Sequence, residues 1–149
     1  MPATSISVRS DSEDQTRQLG RTLASRLKPG DVIALEGDLG SGKTVFVQGL
    51  ADGLGVRDQV HSPTFVVHHH YRGRLPLDHY DLYRLNGMSW LDSGLDEPAP
   101  DSVTVIEWSD RAVPLEEWAT IRLRLEVLSD NERQIAVLTG GDRLAGWPN

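Results

Sequence analysis

Apolar positions recur along this chain with two periods, and together they predict alternating strands and helices. Ile6 and Val8 alternate with polar neighbours over residues 4–9, the period of a half-buried strand. Leu19, Leu23 and Leu27 then fall at four-residue spacing, as on one helix face, and the helix start is signalled twice, by Ser10-x-x-Glu13 and by Ser12-x-x-Gln15. Each fits a capping box, in which a hydroxyl and a carboxylate or amide satisfy backbone N–H groups of the first turn. Lys28-Pro29-Gly30 ends this helix. The short apolar run at 31–36, bounded by that turn and by Gly37, reads as a buried strand. Phe46, Val47, Leu50, Ala51 and Leu54 return to helical spacing in a stretch free of proline. Gly53, Gly55 and Asp58 mark the next turn.

The second half of the chain is richer in strands. Pro63 forces extended backbone on Ser62, so 62–64 reads as a loop feeding a strand over 65–71. That strand would put His68 and His70 on one face and His69 on the other. Arg72-Gly73-Arg74 is a hairpin turn, and 75–84 is its returning strand, with Pro76 near the start where a missing N–H is tolerated. Residues 86–100 are polar and poorly patterned, as in a helical turn and loop. Residues 103–108 form an apolar run that delivers Glu107 at its end, and 114–118 suggests a short helix. Ile121, Leu123, Leu125 and Val127 alternate with Arg122, Arg124 and Glu126, and Ser129-Asp130-Asn131 turns into a further strand at 133–139. The tail at 146–149 is expected to be partly mobile.

Between the strand at 31–36 and the helix that follows lies Gly37-Asp38-Leu39-Gly40-Ser41-Gly42-Lys43-Thr44, which fits G-x-x-x-x-G-K-[ST]. Strand, glycine loop and helix in that order predict an α/β chain: a single-domain P-loop NTPase-like fold over 1–149, with a central mixed sheet flanked by helices and antiparallel C-terminal strands. The chemistry explains the residue types. Glycines let backbone N–H groups turn inward as a nest, and the helix N-terminus adds partial positive charge against phosphate. Asp38, Leu39, Gly40, Ser41 and Gly42 would cradle the phosphates, with Lys43 reaching the β- and γ-phosphates. Thr44 would place its hydroxyl on Mg²⁺. In open α/β sheets the remaining groups lie beyond the carboxyl ends of strands. Glu107 meets that description and is expected at Mg²⁺, directly or through water. Asp81, among His79, Tyr80 and Tyr83, would orient or deprotonate a water, and Thr64 would sense the γ-phosphate as switch loops do.

Composition narrows the picture. A chain of 149 residues is a typical single domain, and no cysteine is present, which excludes disulfides, thiolate metal sites and a cysteine nucleophile. A formal net charge of −7 argues against autonomous binding to nucleic acid, so any RNA would be held by another subunit. No signal-peptide pattern and no run of eighteen apolar residues are evident, so no membrane association and a cytoplasmic location are expected. The run His68-His69-His70 reads as a solvated or edge strand rather than a metal cage, because adjacent strand residues diverge and no carboxylate stands at ligand spacing.

Four segments, in order, resemble the TsaE (YjeE) family: the glycine loop, Ser62-Pro63-Thr64-Phe65, His79-Tyr80-Asp81-Leu82-Tyr83-Arg84 and Ile106-Glu107-Trp108. The glycine loop is shared with many ATPases; the other three, in this spacing, are specific to that family, and the resemblance runs from Glu13 to Arg133. It implies a small ATPase of tRNA threonylcarbamoyladenosine modification, using ATP and Mg²⁺. It also implies Mg²⁺ at Thr44 and Glu107, catalysis dependent on Asp81, and a switch-like loop at 62–64. Thr16 matches a family threonine near the nucleotide base, and Arg133 an arginine near the end of the paired strands. Family members hydrolyse ATP slowly alone and serve a complex with TsaB and TsaD, the latter performing the transfer, so tRNA would be met only through the complex. The chain departs from the common pattern in its histidine run, its short 87–101 segment and its brief tail.

Two other classes compete with this one. A small-molecule kinase is disfavoured by the short chain and the lack of an arginine-rich lid segment. A nucleotide-gated binding module with little turnover would differ in affinity for its partners between ATP and ADP states. A GTPase is excluded at the level of its guanine-reading motif, Asn-Lys-x-Asp, since neither Lys28 nor Lys43 follows an asparagine.

Overall fold

The computed structural model describes residues 6–38, 40–57, 68–81, 99–107 and 119–148. Leu39, the 62–64 loop with Thr64, the first part of the strand expected from 65, the 86–98 stretch, Trp108 and the helix expected at 114–118 lie outside them.

The described elements run β1 (Ile6–Ser10), α1 (Glu13–Ala24), β2 (Val32–Glu36), α2 (Lys43–Gly53), β3 (His68–Tyr71), β4 (Leu77–Asp81), β5 (Val103–Glu107), β6 (Ile121–Val127) and β7 (Arg133–Thr139), followed by a 3-10 turn at Gly141–Leu144. Among the described residues one sheet has the order β1-β7-β6-β2-β5-β4-β3. Its middle strands are parallel: β2 pairs with both β5 and β6, and β4 with β5. Antiparallel pairs close both sides, β1 with β7 and β7 with β6 on one, β3 with β4 on the other. The expected mixed sheet with antiparallel C-terminal strands is thus present.

Local chemistry explains where α1 begins. Of the two candidate caps, Ser12 is used: its Oγ accepts from the Gln15 N–H at 3.1 Å. Gln15 reaches back one residue further than a capping box requires, its Oε1 accepting from the Asp11 N–H at 2.7 Å. Ser10 instead ends β1 and bonds the Thr16 hydroxyl at 2.7 Å. Glu13 and Asp14 in the first turn and Arg21 in the last complement the helix dipole.

One face of the sheet packs against α1 and α2. Ile33 and Leu35, Leu77, Val103 and Val105, Leu123 and Leu125 join Leu19, Leu23, Phe46, Val47, Leu50 and Leu54 in a single core. Fully buried side chains such as Leu23, Phe46, Leu50 and Leu54 each stabilise the fold by about 1.5–3 kcal/mol. The two helices cross at backbone contact, which glycine permits. A methyl on Gly49 would sit 1.8 Å from the Arg17 carbonyl oxygen, and one on Gly20 2.2 Å from that of Phe46. The opposite sheet face, with Val32, Ala34, Tyr80, Thr104 and Ile106, is buried as well.

Several expectations at the ends of elements change: α1 stops at Ala24 rather than continuing to Lys28, though Leu27 is still buried, and β4 starts at Leu77 rather than at Leu75. Asp31 is a turn residue rather than the first residue of β2: its Oδ2 accepts from the Lys28 N–H, and Arg143 grips both of its oxygens at 2.7 and 2.8 Å. The hydrogen bond to Asp31, opposed in part by burial, raises the Arg143 guanidinium above its ordinary value. The tail is tied down rather than mobile at Trp147. This indole is 5% exposed, and its Nε1 donates to the Leu19 carbonyl and the Thr22 hydroxyl, so burial of a large aromatic overrides the polar, proline- and glycine-containing sequence around it. No helix among the described residues is long and apolar enough to cross a membrane.

Candidate functional site

The parallel strands β2, β5 and β4 bring their carboxyl ends to one edge, and the glycine loop leaves the sheet there. Gly42 stands at the N-cap of α2 in the left-handed region at φ 97° and offers no side chain to cap it, and the first turn holds no acid. The positive end of the α2 dipole therefore meets the glycine loop with no acid of its own first turn to offset it, the setting in which helix N-termini bind anions. Gly37, at φ 144°, is held so close to β6 that a methyl would lie 2.6 Å from the Leu125 carbonyl oxygen.

Lys43 curls back into the loop. Its Nζ donates to the carbonyls of Gly37 at 2.5 Å and Asp38 at 2.9 Å and to Ser41 Oγ at 3.3 Å, and the residue is buried. Thr44 follows on the first turn, its Oγ1 3.5 Å from Glu107 Oε1 at the end of β5. Glu107 is 2% exposed. Asp81 is level with it in the parallel register of β4 and β5, on strands about 4.8 Å apart, and is buried too. Thr44, Asp81 and Glu107, distant in sequence, are thus gathered at one edge.

Thr16 and Arg133 reach the same loop from elsewhere. The position of a Gly42 Cβ would be 3.6 Å from Thr16 Cγ2 and 4.0 Å from Arg133 Cγ, and Arg133 Nε donates to the Gly40 carbonyl at 3.2 Å. A cleft of about 490 Å³ opens beside the loop, lined by Glu36, Gly37, Asp38, Ser41 and β6 residues from Arg124 to Val127. Glu36 there binds Arg122 at 2.7 Å and Arg124 at 3.1 Å.

Two features of this region were not singled out from sequence. One is the ionic pairing of Glu36 with the β6 arginines. The other is His79, fully buried, whose Nε2 bonds Glu107 Oε2. The available signal for His79 was its two-residue spacing from Asp81, which puts both on one strand face.

The histidine run has a different setting. As expected, His68 and His70 share a face, and β3 is the edge strand of the described sheet. Both meet a single oxygen, Asp78 Oδ1, at 2.8 Å, and His68 stacks on Tyr80 with ring centroids 4.3 Å apart. Burial pushes the Asp78 carboxyl up, but hydrogen bonds from His70, His68 and Ser102, with the charge of His70, bring it on balance below its ordinary value. Among the described residues no three His, Asp or Glu side chains form a metal cage.

A mixed sheet with parallel centre, a glycine loop at its carboxyl edge and a helix that starts from that loop at Gly42 define the P-loop class of α/β fold. A family model described as "Threonylcarbamoyl adenosine biosynthesis protein TsaE" matches residues 10–135. The chain is 44% identical over 142 residues to a Streptomyces coelicolor protein named tRNA threonylcarbamoyladenosine biosynthesis protein TsaE, covering 87% of this chain and 93% of that one. A Treponema pallidum protein of the same name is 42% identical, with 86% and 96% covered. The crystal structure of YdiB from Bacillus subtilis superimposes with a TM-score of 0.71 at 31% identity, covering 96% of this chain and 90% of that one. The chain belongs to the TsaE family.

Proposed function

We propose that this protein is a Mg²⁺-dependent ATPase whose turnover cycles a tRNA-modifying complex with TsaB- and TsaD-like proteins. The observation that carries this reading is the convergence at the carboxyl edge: Lys43 folded into the glycine loop, the Thr44 hydroxyl facing Glu107 at 3.5 Å, and Asp81 in register beside Glu107. The names of the relatives, all proteins of tRNA threonylcarbamoyladenosine biosynthesis, supply the pathway.

The residues fit the substrate and the metal. The carbonyl oxygens of Gly37 and Asp38 now occupy Lys43 Nζ, and phosphate oxygens would take their place with a full charge to offer. The N-terminus of α2 offers backbone N–H groups and the positive end of its dipole to the remaining phosphate oxygens. Thr44 and Glu107 offer hard oxygen donors, and Mg²⁺ commonly takes only one or two protein ligands and keeps several waters. When bound, Mg²⁺ would neutralise charge developing on the β- and γ-phosphates. Asp81 holds the attacking water by accepting its hydrogen bond, and Thr64 senses the γ-phosphate. Thr16 and Arg133 border the loop on the side of α1 and β7 and position the nucleotide.

The test is ATP turnover measured alone and with TsaB- and TsaD-like partners, then repeated with Asp81→Ala. Slow turnover alone, stimulation by the partners and loss in the variant are expected. Turnover unaffected by Asp81→Ala would sink this assignment, and rapid phosphorylation of a nucleoside would turn the reading toward a kinase.

A further inference from the structure

His79 is fully enclosed on the helix-facing side of β4, a place where a polar ring is expensive unless it has a task or a full set of partners. It has half a set. Nε2 meets Glu107 Oε2, while Nδ1 is buried with no hydrogen-bond partner among the described residues. A hydrogen on Nδ1 would be buried without an acceptor, so the hydrogen belongs on Nε2, where it is donated to the carboxylate. The other oxygen of that carboxylate, Oε1, is the one that faces Thr44 Oγ1. The last torsion of a glutamate is broad and roughly twofold, so nothing intrinsic to Glu107 decides which way its oxygens point.

We propose that His79 is a positioning residue for Glu107: its Nε2–H holds Oε2 and thereby presents Oε1 to Thr44 and to the Mg²⁺ that this pair would share. The inference rests on the ATPase reading. The unpaired Nδ1 fits it, since a ring kept only to satisfy the interior would be expected to use both nitrogens. Orienting partners behind a metal-binding group commonly change metal affinity by about 10–100-fold.

The measurement is ATP affinity of the full chain by calorimetry, in excess EDTA and across a MgCl₂ titration, for wild type, His79→Leu, His79→Gln and His79→Asn. Thermal unfolding without nucleotide separates effects on folding. Gln places an N–H near the position of Nε2, whereas Asn is too short to reach Glu107. Metal-free ATP affinity should stay within about twofold of wild type in all variants, because none touches the phosphate loop. The MgCl₂ concentration needed for half of the metal-dependent gain should rise about tenfold in His79→Leu and His79→Asn and return most of the way in His79→Gln. If His79→Leu does not fold, the contrast between Gln and Asn carries the test. Equal Mg²⁺ dependence in Gln, Asn and wild type overturns the proposal, as does a loss in all variants that follows their unfolding temperatures. If wild type itself binds ATP without any response to Mg²⁺, the ATPase reading fails instead.

Discussion

Replacing Gly49 by alanine tests how the helices that frame the glycine loop are held. In an isolated helix the change is favourable by about 1 kcal/mol, since glycine carries the larger conformational cost. Here the new methyl would lie 1.8 Å from the Arg17 carbonyl oxygen and 2.6 Å from its carbon. Backbone of a packed helix cannot rotate aside as a side chain can, so α1 and α2 must part by about 1 Å or more to restore van der Waals contact. That separation loosens Leu19 and Leu23 against Phe46 and Leu50, a cost at the upper end of the roughly 1–3 kcal/mol typical of overpacking. The net expectation is a loss of about 2 kcal/mol, or a lowering of the midpoint by roughly 4–8 °C for a chain of this size. Differential scanning calorimetry reads the midpoint directly. Thr16 sits on the same helix one residue before Arg17, so ATP affinity should weaken alongside stability. A midpoint equal to or above that of wild type would refute the reasoning, because it would mean that helix propensity outweighs a contact that is not there.

Three further outcomes are expected. Asp78→Asn should flatten the acid limb of stability: a carboxyl held below its ordinary value contributes fully above about pH 5, and that contribution fades as pH falls below about 4. Urea unfolding at pH 6 and pH 3 should therefore show a smaller difference in the variant than in wild type, and an equal difference would contradict the role given to His68 and His70. Trp147→Ala should cost about 3–5 kcal/mol, visible as a lowered urea midpoint, since it empties a buried site and removes the donor to Leu19 and Thr22. Lys43→Ala should abolish measurable ATP binding by calorimetry; retained binding would show that the loop N–H groups suffice without it.

Much of the fold was legible because its elements obey simple periods. The strands at Ile121–Val127 and Arg133–Thr139 follow their alternation and turn residues to the residue, and β2, α2 and β5 lie where an apolar run, a glycine loop and a second apolar run place them. The helix start was ambiguous between Ser10 and Ser12, since both satisfy the same local rule. The choice fell to a tertiary fact, the bond from Ser10 to Thr16 where β1 meets α1. The tail misled for a similar reason. Gly146 and Pro148 describe the local chain, but Trp147 responds to a pocket made by residues more than a hundred positions earlier.

The sequence by itself marked out the candidate site, because a glycine loop between strand and helix is specified by residue types at fixed local spacing. Gly37 to Thr44 carries that information within eight positions. It also named Glu107 as an acid closing an apolar run, and Asp81 by its setting among His79, Tyr80 and Tyr83 within a strand expected over 75–84. Only the tertiary structure decided that these acids stand side by side, since parallel register between β4 and β5 is set by core packing across the sheet rather than by either strand alone. The same packing turned His79 from a polar residue in a strand into the group that holds one oxygen of Glu107. It also drew Thr16 and Arg133, from opposite ends of the chain, to the rim of the loop. Local chemistry writes the glycine loop, and long-range burial aims what surrounds it.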